Sequence, residues 1–134
     1  MTAVTSGGCL CGACRYTTEA TAINVRACHC RTCQKASGAA VYARVLVPRE
    51  GLLLAGPVGW YNSSDEVRRG FCTRCGSTMF SERISQGVIG LTLATLDEPH
   101  RFQPVEHVWV SEMQPWLRLG DGLPHHAKNA PSSS

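Results

Sequence analysis

The stretch CLCGAC, residues 9–14, has the spacing Cys-x-Cys-x-x-Cys, and the stretch CHCRTC, residues 28–33, repeats it. A third motif, CTRC at residues 72–75, completes the eight cysteines of this 134-residue chain. Cysteines separated by one residue rarely pair with each other, and clustered cysteines in a reducing compartment are more often metal ligands than disulfide partners. The sequence therefore predicts metal sites.

The motif FCTRCGS, residues 71–77, has the form of a zinc knuckle. In such a knuckle a tight turn points backbone N–H groups at the sulfurs, and Gly76 tolerates the conformation that this turn requires. A knuckle supplies two ligands, whereas structural zinc takes four from the protein. The glycine-rich stretch GGCLCG, residues 7–12, can bend enough to present two neighbouring sulfurs to one ion. We therefore expect a closed structural zinc site formed by Cys9, Cys11, Cys72 and Cys75.

The motif CHCRTC places Cys28, Cys30 and Cys33 in one loop. Three protein ligands with a fourth position open are typical of a catalytic zinc, so we expect the reaction site here. The alternative is a second closed site, with Cys14 or a histidine such as His29 as the fourth ligand.

Three thiolates would leave a divalent ion in this second site with a net charge of about −1. Such an ion is better suited to holding and exchanging a substrate thiolate than to activating water. Arg26, Arg31 and Lys35 flank the cluster and would attract a negatively charged ligand. A small acidic thiol such as glutathione is the natural candidate.

The rest of the chain predicts a mainly β fold. Hydrophobic residues make up 43% and charged residues 17%, as in a globular protein. Short β-branched or alternating segments recur about every ten residues, which is typical of a β-rich domain. A single helical turn is expected at residues 31–38. We expect one domain over residues 1–134, with its core at about 7–124 and a flexible tail at 125–134.

Composition also limits the partners. The chain begins without the charged and apolar regions of a signal peptide and has no apolar run long enough for a spanning helix, so we expect a soluble cytoplasmic protein without membrane contact. The formal net charge is only +3. Arg68, Arg69 and Arg74 could form a basic patch, but Asp65 and Glu66 interrupt it, so we do not expect nucleic-acid binding.

Four segments together resemble the glutathione-dependent formaldehyde-activating enzyme-like family, which is related to centromere protein V. They are GGCLCGACRY, CHCRTCQKASG, FCTRCGSTMF and HVWVSEMQPWLRLGDGLP. The resemblance extends from Gly7 to Pro124 and implies a β-tent-like fold of small stacked antiparallel sheets with zinc-binding loops. At Cys14 most relatives have an aliphatic residue, so this cysteine departs from the family pattern.

The resemblance also implies two zinc ions per chain, one on Cys9, Cys11, Cys72 and Cys75 and one on Cys28, Cys30 and Cys33. The activity that it implies is that of a carbon–sulfur lyase, which condenses glutathione with formaldehyde or reverses that reaction. The five histidines are scattered along the chain and form no obvious catalytic set. The alternative is a zinc-stabilised binding module for protein or nucleic acid, without catalysis.

Overall fold

Two β-sheets of unequal size make up the protein, whose computed structural model describes residues 3–131. The smaller sheet has the strand order β1-β2-β5, and both of its strand pairs are antiparallel. Its strands are β1 at Thr5–Gly8, β2 at Arg15–Thr18 and β5 at Leu53–Ala55.

The larger sheet has seven strands in the order β10-β3-β4-β9-β8-β7-β6. These strands are β3 at Asn24–Cys28, β4 at Tyr42–Pro48, β6 at Val58–Asn62, β7 at Val67–Cys72, β8 at Thr78–Arg83, β9 at Val88–Thr92 and β10 at Glu106–Val108. The prediction of a mainly β fold is confirmed. One strand pair differs from the antiparallel expectation, because β10 runs parallel to β3. A parallel neighbour needs a crossover of a dozen or more residues, and the chain between β9 and β10 is long enough to make it.

One short helix, α1 at Arg31–Ser37, connects β3 to β4. It begins at Cys30, whose sulfur accepts a hydrogen bond from the backbone N–H of Cys33, and it ends at Gly38 with a left-handed φ of 67°. This is the helical turn that the sequence predicts at residues 31–38. Single 3₁₀ turns lie at Ile84–Gln86, Leu93–Thr95, Pro99–Arg101 and Val110–Glu112.

The core lies between the two sheets. Alternation along β2 points Tyr16 inward, where its ring meets Phe80 of β8 edge-on at a centroid distance of 5.2 Å. Trp60 of β6 also stacks on Phe80, at a centroid distance of 5.7 Å. Cys14 and Cys72 are fully buried in the same cluster of side chains. The packing that joins the sheets therefore also fixes the backbone of two cysteine motifs.

The end of the described chain pairs with β10. His107 donates its backbone N–H to the carbonyl of Pro124, and the N–H of His126 bonds to the carbonyl of His107 at 2.9 Å. Ala130 is buried. We expected a flexible tail over residues 125–134, whereas backbone hydrogen bonds tie residues 124–128 to β10 and to the three residues that follow it. The last part of the predicted tail, residues 132–134, lies outside the described residues.

Within residues 3–131 no helix has the length and apolar composition needed to cross a bilayer.

Candidate metal centres

The first cysteine cluster joins the two sheets. Cys9 and Cys11 come from the loop between β1 and β2, and Cys72 and Cys75 come from the knuckle between β7 and β8; the four sulfurs lie within 4.8 Å of one another. The sulfur of Cys11 is 3.6 Å from that of Cys9 and 3.8 Å from that of Cys72. Four sulfurs around one zinc at about 2.3 Å would be about 3.8 Å apart. The spacing therefore fits a four-thiolate ion.

Backbone N–H groups point at these sulfurs. Cys72 accepts from the N–H of Arg74 at 3.3 Å and of Cys75 at 3.4 Å, because Gly76 with a φ of 78° closes the turn. Hydrogen bonds of this kind favour the thiolate over the thiol. A hydrogen bond with Ser77 lowers the pKa of Cys75 to about 5. The knuckle is thus arranged to carry negative charge before any ion binds.

The second cluster lies where β3 leads into α1. The sulfurs of Cys28, Cys30 and Cys33 are within 4.8 Å of one another. Hydrogen bonds from the Cys28 and Cys33 thiols lower the pKa of Cys30 to about 2, while the same contacts raise the pKa of Cys28. The three sulfurs are therefore close enough to one another to act as ligands of one ion.

Neither alternative fourth ligand lies at this cluster. Cys14 is buried in the core beside the first cluster, where its N–H bonds to the sulfur of Cys9 at 3.2 Å. The ring of His29 points away, and its Nε2 is 2.9 Å from Nδ1 of His107 on β10. In the described part of the chain, no further cysteine, histidine or carboxylate joins the three sulfurs.

A cavity of about 310 Å³ opens beside the second cluster. All three cysteines line it, together with the side chains of Tyr42 and Trp109 and with four arginines, Arg26, Arg44, Arg69 and Arg83. Of the three basic residues that the sequence suggested for an anionic ligand, only Arg26 is among them. Arg26 is buried and already pairs with Glu106 at 2.6 Å.

Arg31 and Lys35 lie elsewhere because of the helical period. They precede and follow Cys33 by two residues each, so at 100° per residue they project about 200° away from it. The backbone N–H of Arg31 donates to Glu112 at 2.7 Å, and its guanidinium donates to Gln34 at 2.7 Å. Neither Arg31 nor Lys35 lines the cavity of the second cluster.

The other three arginines of the cavity come from strands of the large sheet, and the sequence analysis did not assign them to this site. Arg69 of β7 reaches the sulfur of Cys33 with both terminal nitrogens, at 3.6 and 3.7 Å. Arg44 of β4 has no carboxylate partner within residues 3–131; burial lowers its pKa to about 10, which still leaves it charged at neutral pH. The exposed side chain of Arg83 on β8 also lines the cavity and makes no hydrogen bond or ion pair in the same range. Side chains alternate between the two faces of a strand, so the positions of these arginines along their strands could have indicated which of them share one face.

The basic patch that the sequence analysis considered and rejected, at Arg68, Arg69 and Arg74, is not formed, because its two members on β7 lie on opposite faces of the sheet. Arg68 ion-pairs with Glu82 at 2.9 Å and lies 4.0 Å from the ring centroid of Trp60. Arg69, the next residue, points instead into the cavity. Because neighbouring strand residues alternate between faces, these two arginines do not form one surface.

Comparisons with known proteins give a family and a fold. A family model described as "Glutathione-dependent formaldehyde-activating enzyme" matches residues 4–112. No curated protein matches the sequence significantly. Among solved structures, a Rhodobacter sphaeroides protein is 22% identical, with a TM-score of 0.56 over 69% of this chain and 87% of that one. At this identity the structural likeness supports the fold alone.

Proposed function

The chain belongs to the glutathione-dependent formaldehyde-activating enzyme family, and we propose that it is a zinc-dependent enzyme of the carbon–sulfur lyase type. Its substrate would be a small thiol adduct, formed from glutathione and formaldehyde or from a related thiol and electrophile. The observation that carries this proposal is a cluster of three sulfurs, without a fourth protein ligand in the described chain, at the wall of an arginine-lined cavity.

Two zinc ions per chain are part of the proposal. Cys9, Cys11, Cys72 and Cys75 would hold a structural ion, as their sulfur spacing suggests. The second ion would be held by Cys28, Cys30 and Cys33 at the cavity. None of the eight cysteines forms a disulfide, which fits ligands kept reduced in a compartment such as the cytoplasm.

Zinc at the second cluster would supply a Lewis acid that favours the thiolate form of an incoming thiol. The reaction class is the formation or cleavage of one carbon–sulfur bond. In the forward direction the thiol sulfur bonds to the carbonyl carbon, and the proton that the thiol loses is taken up by the carbonyl oxygen. No oxidant or reductant is needed.

The protein's own residues would orient the thiol and balance its charge. Arg69, at 3.6 Å from the sulfur of Cys33, would offset the charge of the three thiolates. Arg44 and Arg83, which have no carboxylate partner in the described chain, would bind the carboxylates of an acidic thiol such as glutathione. In this role they replace Arg31 and Lys35.

Metal content tests the two-site proposal. We expect reduced protein, after dialysis against metal-free buffer, to retain two zinc ions per chain. Cys28→Ser should retain one, because two thiolates hold the second ion too weakly. Cys14→Ala is the control, since this buried cysteine belongs to neither cluster and alanine leaves no unpaired hydroxyl in the core. A wild-type content of one ion, or a Cys28→Ser content of two, would contradict the proposal.

Binding and turnover separate an enzyme from a binding module. X-ray absorption at the zinc edge should show an additional sulfur ligand when glutathione is added, and no change with S-methylglutathione. NMR exchange spectroscopy should show that the protein accelerates interconversion between glutathione plus formaldehyde and their adduct, and that Cys28→Ser does not. Sulfur ligation without acceleration would indicate a binding module.

A further inference from the structure

A third group of metal-ligand residues lies on the far side of β3 from the cavity cysteines. His107 of β10, Asp121 and His125 each offer one ligand atom, and these atoms are within 4.8 Å of one another. His107 is buried, whereas Asp121 and His125 are exposed. The group therefore combines one fixed ligand with two that can adjust from the solvent side. It shares no residue with either cysteine cluster.

Each member is oriented for the shared centre. Nδ1 of His107 is 2.9 Å from Nε2 of the buried His29, which leaves Nε2 of His107 facing Asp121. The other carboxylate oxygen of Asp121 accepts the backbone N–H of Leu123 at 3.0 Å, so that Oδ2 faces the histidine. The ring of His125 contacts that of His107 at a centroid distance of 5.3 Å and makes no hydrogen bond within residues 3–131.

We propose that His107, Asp121 and His125 form a third metal site, specific for a borderline divalent ion such as Zn²⁺ or Co²⁺. Two imidazoles and one carboxylate are a ligand set that suits such ions, whereas the thiolate clusters form softer sites. The contact from Nδ1 of His107 to His29 holds the ring from its far nitrogen, as outer-shell hydrogen bonds of metal-ligating histidines do, with an imidazole in place of the usual carboxylate, carbonyl or water.

The geometry needs only a small adjustment to accept the ion. Nε2 of His107 and Oδ2 of Asp121 are 2.7 Å apart, which is a hydrogen-bond distance. Two ligands at tetrahedral positions about 2.05 Å from zinc would be about 3.3 Å apart. The exposed side chain of Asp121 can move outward by the difference, and the proton on Nε2 leaves as the metal binds. With two solvent-exposed ligands, the site is weaker than the cysteine clusters.

Metal binding here would fasten the C-terminal segment to β10. Asp121 and His125 belong to this segment, and so does Asn129, whose side chain accepts a hydrogen bond from Nε1 of Trp109 at 3.0 Å. Trp109 and Asn129 both line the cavity of the second cysteine cluster. The third ion would therefore hold one cavity wall in place, without taking part in the chemistry.

Cobalt binding to reduced full-length protein, first dialysed against metal-free buffer until two zinc ions per chain remain, tests the site. We expect one Co²⁺ per chain in addition to the two zinc ions, with d–d absorption bands but without the charge-transfer bands of cobalt bound to thiolate. Thermal unfolding should shift to higher temperature as cobalt is added, because the ion binds the folded state.

Four proteins compare the alternatives. His125→Gln and Asp121→Asn should lose the additional cobalt. In Asp121→Asn the amide oxygen can still accept the hydrogen bond from His107, so the unfolding temperature in chelator should equal that of the wild type in chelator. His126→Gln is the matched control. His126 is the neighbouring histidine and bonds to Glu106, so this variant should bind cobalt at the wild-type level.

Absence of a third ion, thiolate bands, or equal binding by wild type, His125→Gln and Asp121→Asn would each overturn the proposal. Because both zinc ions are counted in the same samples, failure of the cysteine sites would be seen separately.

Discussion

At the scale of single residues, the two cysteine clusters differ in what balances their charge. Around Cys72 the donors are backbone N–H groups of the knuckle, which are fixed by the turn itself. In the second cluster Cys30 also accepts a backbone N–H, but the sulfur of Cys33 is met by the guanidinium of Arg69, a side chain of β7. Backbone donors suit a permanent thiolate site. A charged side chain beside a cavity suits a site whose charge changes when a ligand enters.

Arg83 is expected to decide the preference for acidic thiols. Arg83→Gln removes a cation that has no partner in the described chain, so it should weaken glutathione binding by about 10-fold or more, as for loss of a hydrogen bond to a charged group. Binding of 2-mercaptoethanol, which has no carboxylate, should not change. Isothermal titration of both thiols measures the difference.

Arg31→Gln is the control for this measurement, because Arg31 lies outside the cavity. It should leave the affinity for both thiols at the wild-type value. If Arg31→Gln weakens glutathione binding as much as Arg83→Gln does, the cavity does not hold the carboxylates. Equal losses for glutathione and 2-mercaptoethanol in Arg83→Gln would show an effect on the sulfur site instead.

At the scale of elements, the loop that carries Cys9 and Cys11 packs closely against the residues that follow β5. Gly56, directly after β5, has a φ of 101°, and its Cα faces the backbone of this loop. A Cβ on Gly56 would overlap the carbonyl oxygen of Ala13 and would lie 2.7 Å from Cα of Cys14. Only a glycine at this position allows the chain after β5 to approach the loop so closely. This approach sets the position of the loop relative to the knuckle.

Gly56→Ala should shift or destabilise this loop. Overpacking of this kind typically costs about 1–3 kcal/mol beyond the strain of the left-handed conformation itself. The matched control is Gly51→Ala, because Gly51 has a φ of 82° but open space where a Cβ would lie. Urea unfolding of the zinc-loaded proteins measures both. Equal destabilisation of the two variants would mean that the approach to Ala13 is not tight.

At the scale of the whole molecule, the two clusters differ in location: the first lies at the junction of the two sheets and the second lines a cavity. The first ties the β1–β2 loop to the β7–β8 knuckle, and Cys9, Cys14 and Cys72 belong to the buried core between the sheets. The second lies at one end of the large sheet, beside a cavity that is open to ligands. Loss of metal from the first cluster should therefore disturb the junction of the sheets, whereas loss from the second should be local.

Cys72→Ser and Cys30→Ser should separate these roles. We expect Cys72→Ser to lower the free energy of unfolding by more than about 3 kcal/mol, since it would remove a buried ligand of the proposed structural zinc. Cys30→Ser should cost clearly less and should abolish thiol binding. Prolonged chelation of the wild type should reproduce the larger effect. The measurements are thermal unfolding and zinc content on the same samples; greater destabilisation by Cys30→Ser would reverse the assignment.

Much of the fold could be predicted because short-range sequence patterns indicate its strands and turns. Alternation from Arg15 to Thr18 identifies β2, and the glycines at 38 and 76 stand where the chain requires a left-handed turn. The spacing of the cysteines indicated which sulfurs would come together, and the structure brings both groups within ligand distance. Such signals depend on neighbours a few residues apart, so a single sequence contains them.

Tertiary structure alone decided which charged side chains meet the second cluster. Arg31 and Lys35 are close to Cys33 in sequence, but the helix turns them away, while Arg69 arrives from a strand 36 residues later. In the same way, pairing of β10 with β3 brings His107 to His29 and orders residues 125–130, which looked like a tail. The sequence by itself determined the spacing of the cysteines within each motif, because that spacing is local, whereas the meeting of Cys11 with Cys72 across 61 residues depends on how the two sheets pack. The cavity and its arginines depend on strand order, which long-range packing sets.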